Sequence, residues 1–239
     1  RTVIVSRKRF AKRPELPVSM SNKGALLNDE ARYPEAEETY REAIKLWKEH
    51  VKKEDDTKLA SIYNGLARSL REQNKLDDAE KTAIIALNIK ERVSGKSSAD
   101  AAAVLENLGK ITQKEGKMKE AENYFTTALS IDKAAFGPRH PDVASDQCSL
   151  GRFYTETNRL AKADALLNDS LATRKSFFKY NHPTIARTLC SIGELQLKQN
   201  KLTEAKNVLT QAKKIQEQFL SPNHPDLEET NKALLLATK

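Results

Sequence analysis

Five related phrases decide the fold, and the clearest of them is Lys117-Met-Lys-Glu-Ala-Glu122. Its four relatives are Arg32-Tyr-Pro-Glu-Ala-Glu37, Lys75-Leu-Asp-Asp-Ala-Glu80, Arg159-Leu-Ala-Lys-Ala-Asp164 and Lys201-Leu-Thr-Glu-Ala-Lys206. The alanines of these phrases follow one another at steps of 43, 42, 42 and 42 residues. Because a fixed period is the sequence signature of a repeat architecture, the chain is predicted to be an array of five similar units.

Three further columns share this period. Twelve residues before each alanine stands a small residue: Gly24, Ala67, Gly109, Gly151 or Gly193. Seven residues after it stands Ala43, Ala86, Ala128, Ser170 or Ala212. The last four phrases directly follow a residue that tolerates a left-handed backbone: Asn74, Gly116, Asn158 or Asn200. The pattern predicts two amphipathic helices per unit, helix A and helix B, which are joined by a short turn and approach closely at the small residues.

A second signature lies between the units. The pair His-Pro recurs at steps of 42 residues, as His140-Pro141, His182-Pro183 and His224-Pro225. Proline suits the first turn of a helix because the N–H that it lacks has no partner there. In the two earlier copies the histidine position holds Asp56 and Ser98, which are both favoured N-cap residues.

These phrases resemble the tetratricopeptide repeat, in the 42-residue form of kinesin light chains. The linker Phe136-Gly-Pro-Arg-His-Pro-Asp-Val-Ala144 and the phrases Lys75–Glu80 and Lys117–Glu122 carry the resemblance, which covers residues 13–239. It implies an all-α fold, a right-handed α-α superhelix of five helix pairs with a C-terminal capping helix. The predicted segments are a basic arm at 1–12, repeats at 13–55, 56–97, 98–139, 140–181 and 182–223, and the capping helix at 224–239.

Composition limits the function classes. Of the 239 residues, 38% are hydrophobic and 31% are charged, and no run approaches the ~18 apolar residues of a membrane-spanning helix. Residues 1–16 hold six Lys and Arg against Glu15, so they carry five of the eight net positive charges. The rest of the chain is nearly balanced, which argues against nucleic-acid binding by the whole protein. Two cysteines make no disulfide framework, so a cytoplasmic location is predicted. The alternatives are a nuclear location, or an organellar one after removal of a transit segment.

No residue pattern indicates catalysis, a metal site or a cofactor. The three repeat-register histidines stand one repeat apart, too far to share an ion, so a structural linker role is predicted for them. Cys148 and Cys190 share one column and are predicted to be unreactive thiols on neighbouring helices, beyond disulfide reach. Trp47 is predicted to pack in the core. No set of nucleophile, base and orienting residue is recognisable, so the protein is predicted not to be an enzyme.

The remaining signal is a column one residue after the small residue of helix A. It reads Ala25, Arg68, Lys110, Arg152 and Glu194, and the resemblance places it on the concave groove. This predicts a monomeric scaffold or adaptor that binds an acidic, or mixed acidic and apolar, peptide. The predicted binding residues are Arg68, Lys110, Arg152, Asn22, Asn64, Asn107, Ser149 and Arg187.

Three alternatives stay open. The cations can be a row of solvated side chains, or binding can use the convex face. In the third alternative, residues 1–13 tether the protein to nucleic acid or another anionic surface, which predicts a steep salt dependence.

Overall fold

The computed structural model describes residues 15–51, 53–178 and 181–238. Within these residues the chain forms eleven α-helices and no strand, as predicted. Their bounds are α1 Glu15–Asp29, α2 Tyr33–Leu46, α3 Thr57–Glu72, α4 Leu76–Ser94, α5 Ala99–Lys114, α6 Met118–Phe136, α7 Pro141–Glu156, α8 Leu160–Phe177, α9 Pro183–Lys198, α10 Leu202–Gln216 and α11 Pro225–Leu236. A π-helical turn, Trp47–Val51, extends α2. The predicted basic arm, residues 1–12, lies outside the described residues.

The helices belong to two units, Arg1–Tyr124 and Phe125–Lys239, so that the boundary falls within α6. In the N-terminal unit α1 pairs with α2 and α3 with α4, and helices A (α1, α3 and α5) lie side by side. In the C-terminal unit α7 pairs with α8 and α9 with α10, while α11 lies beside α9 as an unpaired helix A.

The five A-to-B turns share one backbone geometry. The residue before the repeated phrase has a positive φ in each turn, at Ala31, Asn74, Gly116, Asn158 and Asn200. The next N–H then donates to the carbonyl five residues back, as from Lys75 N to Leu70 O at 2.9 Å. Equivalent bonds close the other four turns, at Arg32, Lys117, Arg159 and Lys201. This is the Schellman ending of a helix, and it confirms the predicted left-handed positions.

The helix starts confirm one of the two predicted N-caps, Asp56, and show that the three linker histidines are N-caps as well. The side chains of Asp56, His140, His182 and His224 each accept a hydrogen bond from the backbone N–H two residues later. For the histidines the acceptor is Nδ1, at 3.2 Å for His140, 3.3 Å for His182 and 3.2 Å for His224. The expectation for Ser98 is wrong, because it precedes α5 without a side-chain cap bond.

The small columns lie where helices A and B touch. All five phrase alanines, and all five residues of the later column, are 0% exposed. Gly193 shows why the earlier column is small, since a Cβ built there would stand 2.5 Å from Cγ of Leu209. Trp47 is 1% exposed and donates from Nε1 to Lys53 O at 2.7 Å, so its predicted core position is confirmed.

Candidate interaction surface

The predicted binding residues all lie on helices A, but their exposure differs. In the N-terminal unit Asn22 is exposed on α1, Asn64 and Arg68 are partly buried on α3, and α5 carries Asn107 and Lys110. Asn107 is buried, whereas Lys110 is partly exposed.

In the C-terminal unit α7 carries Ser149 and Arg152, which are both partly buried. Arg187 is exposed on α9. Within each unit the structure therefore gathers these residues on adjacent helices, with buried and exposed positions intermixed.

Both predicted binding cations of the N-terminal unit have a carboxylate partner in the chain. Arg68 Nη2 lies 2.8 Å from Asp29 Oδ1 at the end of α1, and both side chains are more than a third exposed. Lys110 Nζ lies 2.8 Å from Glu106 Oε1, one turn earlier on α5. Exposed pairs of this kind contribute about 1 kcal/mol or less, so a carboxylate from a partner can displace them at small cost.

Asn107 belongs to a buried polar network. Its amide donates to Asn64 Oδ1 at 2.9 Å, and its own Oδ1 accepts a hydrogen bond from Arg71. Arg71 also donates a hydrogen bond to Glu72 Oε1, and Lys114 Nζ donates to Glu72 Oε2 at 3.2 Å. Burial alone would raise the pKa of Glu72, but Arg71 and Lys114 outweigh it and lower the pKa to about 2. The amide of Asn107 is thereby occupied in holding α3 to α5.

Arg152 joins three helices of the C-terminal unit. From α7 its Nε lies 3.8 Å from Glu194 Oε2 on α9, and its Nη2 lies 3.7 Å from Glu229 Oε1 on α11. Burial raises the pKa of Glu194, Arg152 opposes that shift, and the nearby carboxylates of Glu229 and Glu156 add to it. Arg152 therefore offsets the negative charge of the two carboxylates that α9 and α11 place near each other.

An open cavity of about 420 Å³ lies beside this cluster, between α9 and α11. Its lining consists of Glu194, Leu197, Lys198, Glu229, Lys232, Ala233 and Leu236. Leu236 is 54% exposed, so its apolar side chain is accessible from the solvent. The cavity combines an apolar wall with charged rims, as ligand sites do.

The two cysteines are free thiols, as predicted. Cys148 is buried with its Sγ 3.7 Å from Ser191 Oγ, and Cys190 Sγ lies 3.1 Å from Thr230 Oγ1. Burial raises the pKa of Cys190 to about 12, so its thiolate is scarce at neutral pH. The cavity described above lies one to two turns beyond Cys190 along α9.

A tetratricopeptide repeat family model matches residues 15–92 and 100–176, and a second model of the same description matches 186–219. The chain belongs to the tetratricopeptide repeat family. A comparison with curated protein sequences finds no significant match.

Solved structures also resemble the chain in fold. BtubC (BKLC) from P. vanneervenii matches with a TM-score of 0.68 and 24% identity, over 92% of this chain and 90% of that one. A kinesin light chain of Podosopora anserina with nearly identical TPR-like repeats matches with a TM-score of 0.62 and 17% identity, over 87% and 98%. The predicted all-α tetratricopeptide fold with kinesin-light-chain-like repeats is thus confirmed.

A Rap protein complexed with Competence and Sporulation Factor also has this fold, with a TM-score of 0.66 and 13% identity. The match covers 94% of this chain but only 64% of the Rap chain. At such identities the likeness concerns the fold alone.

Two negative findings apply to the described tetratricopeptide repeats. Within residues 15–51, 53–178 and 181–238, no helix is long and apolar enough to cross a membrane. The same residues contain no group of three or more His, Cys, Asp and Glu side chains placed to hold a metal ion.

Sequence reasoning missed the partners of the cations and the lining of the cavity. Asp29 and Glu229 stand 39 and 77 residues from Arg68 and Arg152, outside any local pattern. A partial signal exists for Leu236, because it stands 42 residues after Glu194 and so continues the column of Arg152. A leucine at this position of the column indicates that the column is apolar on α11.

Proposed function

We propose that this chain is a non-catalytic protein–protein interaction scaffold, which binds a partner peptide along its helices A. Arg68, Lys110 and Arg152 contact acidic side chains of the peptide, with Asn22, Asn64, Ser149 and Arg187 as further polar contacts. The carrying observation is that the three cations recur every 42 residues and keep side chains 36–40% exposed within weak ion pairs.

In the free protein, the carboxylates paired with Arg68 and Lys110 can be replaced by carboxylates of a peptide. A peptide carboxylate that approaches Arg68 replaces Asp29, and one that approaches Lys110 replaces Glu106, so the cations stay paired before and after binding. The net gain per exchange is small, and charge therefore contributes to association rate and specificity more than to affinity. Tight binding needs an apolar anchor in addition.

Asn107 takes a supporting role in this proposal. Because its amide already bonds Asn64 and Arg71, it fixes the side chain of Asn64 at the surface. The Rap protein supports use of the fold in this way, since its structure contains Competence and Sporulation Factor as a bound partner.

The test is affinity capture followed by direct titration. The intact chain, Arg68→Gln/Lys110→Gln and the matched control Lys81→Gln/Lys119→Gln are used in parallel; the control removes two exposed charges from helices B of the same unit. A protein that the intact chain retains is then titrated against all three, and it should bind the first variant more weakly than the intact chain and the control. Equal affinity for all three, in low and moderate salt, would show that the cations are a solvated row.

Arg152 is left unchanged in this variant for a structural reason. Its replacement would leave Glu194 and Glu229 without their shared cation and would disturb the fold as well as binding.

The alternative function rests on the basic arm, with six Lys and Arg and no acidic residue in positions 1–13. A tether of this kind would lose its affinity for an anionic surface when residues 1–13 are removed, and log Kd would rise steeply with log salt. The Arg68→Gln/Lys110→Gln variant would then bind as the intact chain does.

A further inference from the structure

The cavity between α9 and α11 has an apolar wall made by Leu197, Ala233 and Leu236. Its volume of about 420 Å³ falls in the ~300–1,000 Å³ range of binding pockets. The exposed Leu236 stands in the column that Arg152 and Glu194 occupy on α7 and α9, so the column turns from charged to apolar on the last helix A. An apolar side chain from a partner can therefore enter beside charged residues of the proposed peptide surface.

The acidic residues around this cavity have a nearby cation, whereas its two lysines have no nearby carboxylate among the described residues. Glu194 and Glu229, on one side, both lie near Arg152. Lys198 and Lys232, one turn further along the same helices, are exposed. In the part of the chain that the structure describes, no carboxylate lies within 4.0 Å of either ammonium group. A ligand in the cavity thus meets neutralised carboxylates on one rim and two available cations on the other.

We propose that this cavity is an anchor site for a partner peptide, in which one large apolar side chain lies against Leu197 and Leu236 and adjacent Asp or Glu residues contact Lys198 and Lys232. The proposal rests on the proposed function and extends it, since it identifies where on the protein the apolar part of the peptide binds. The cavity is open to solvent, so the peptide chain can continue past the site.

Charge complementarity favours an acidic segment over a basic one. A basic side chain would have to compete with Arg152 for Glu194 and Glu229, while Lys198 and Lys232 repelled it. A cavity of about 300 Å³ in the N-terminal unit is a weaker candidate, because its Glu37 already pairs with Lys75 at 2.8 Å and Arg41 at 2.9 Å.

The expected affinities follow from ordinary magnitudes. Burial of one leucine or phenylalanine side chain strengthens binding about tenfold to hundredfold. Each exposed ion pair adds up to about fivefold. A peptide without the apolar residue, or without its neighbouring acids, should therefore bind measurably more weakly, and both parts are needed together.

In the experiment, three capped peptides are added in turn to the full chain, whose Leu and Ala methyl groups are isotope-labelled. NMR follows the methyl signals of the protein. The first is Gly-Asp-Glu-Leu-Phe-Glu-Asp-Gly; the second replaces its acids by Asn and Gln, and the third replaces Leu-Phe by Ser-Ser. The first peptide should shift the methyl signals of Leu197, Ala233 and Leu236, and the other two should bind at least about fivefold more weakly. Shifts confined to other methyl groups would overturn the proposal.

Variants separate the cavity from general charge effects. Lys198→Gln/Lys232→Gln should weaken the first peptide by up to about 25-fold, the product of two ion pairs. The control Lys206→Gln/Lys214→Gln removes two exposed charges from α10, outside the cavity, and should leave its Kd unchanged. Far-UV circular dichroism and Tm establish that both proteins fold. Equal weakening by both variants would mean that only net charge matters and would overturn the site.

The same variants distinguish this inference from the proposed function. If a captured partner depends on Arg68 and Lys110 but not on Lys198 and Lys232, the scaffold function stands and the anchor site is wrong. If it depends on neither pair, both are wrong. A change in molar mass, by light scattering, on substitution of Lys198 and Lys232 would instead identify the occupant as a second copy of the chain and overturn the peptide assignment.

Discussion

The ring of Tyr40 occupies the space that a side chain at Gly65 would need. A Cβ built on Gly65 would stand 2.5 Å from Cε1 of Tyr40, and one built on Gly24 would stand 2.8 Å from the same ring. Tyr40 on α2 thus packs between α1 and α3, and it is only 2% exposed.

Gly65→Ala should consequently destabilise the protein, although alanine favours a helix by ~1 kcal/mol over glycine. Overlap with a rigid ring should outweigh that gain and give a net loss of about 1–3 kcal/mol in the free energy of unfolding. Urea denaturation measures the loss. In a Tyr40→Ala background the new methyl group has room, so there the same substitution should be neutral or stabilising; an equal loss in both backgrounds would contradict the packing explanation.

Glu72 should make the N-terminal unit sensitive to acid. Its pKa in the folded protein, about 2, lies below the ordinary value of 4.5, so its ion pairs stabilise the fold fully above about pH 4.5. That stabilisation is lost as the pH falls from about 4.5 towards 2. Glu72→Gln should cost about 2 kcal/mol at pH 7, allowing for the partial exposure of the carboxylate, and progressively less below pH 4.5.

Chemical denaturation at several pH values between 7 and 3 measures this difference. Glu42→Gln, which removes an exposed carboxylate from α2, is the matched control and should change stability by less than about 0.5 kcal/mol at every pH. A cost of Glu72→Gln that does not vary with pH would show that the side chain acts through packing rather than charge.

His182 should stabilise α9 mainly as an N-cap. Its Nδ1 accepts the N–H of Thr184 at 3.3 Å, and its ring also stacks on Phe178 with a centroid distance of 4.0 Å. Loss of a cap costs about 0.5–2 kcal/mol, so His182→Ala should lower the free energy of unfolding by this amount. His182→Asn keeps a capping oxygen but no ring and should lose less. Equal losses for the two variants would assign the stabilisation to the stacked ring.

Arg152 should set the titration of Glu194. Burial raises the pKa of Glu194 and Arg152 limits the rise, so Arg152→Gln should raise the pKa further. NMR titration of the side-chain carboxyl carbon measures the shift. A carboxyl whose pKa is raised on folding binds a proton more tightly in the folded state, so the fold gains stability as the pH falls through that pKa. The stability deficit of Arg152→Gln at pH 7 should therefore shrink in mild acid, and a deficit that grows there would contradict this coupling.

The local features of the repeats could be predicted because they depend on residues close together in the chain. Asn74 and Asn158 tolerate a positive φ, a proline suits the first turn of the next helix, and a small residue such as Ala121 lets two helices touch. Each of these effects acts within a few residues, and recurrence at 42 made them recognisable. The helix pairs and their turns followed from the pattern alone.

The binding surface could be predicted only in part. The column that holds Arg68, Lys110 and Arg152 was identified, but the same pattern also suggested Asn107, which the structure buries between α3 and α5. Periodicity assigns a residue to a face of its helix, and it does not tell how deeply a neighbouring helix covers that face.

The sequence by itself therefore determined that this protein is an array of paired amphipathic helices, because hydrophobic period, turn conformation and capping are encoded locally. Only the tertiary structure decided that Arg152 lies between Glu194 and Glu229, and that Lys198 and Lys232 line one cavity with Leu236. Those of these residues that lie on different helices stand more than 30 positions apart in the chain. Their distances depend on how closely successive repeats stack, and that spacing is set by the packing of many side chains at once.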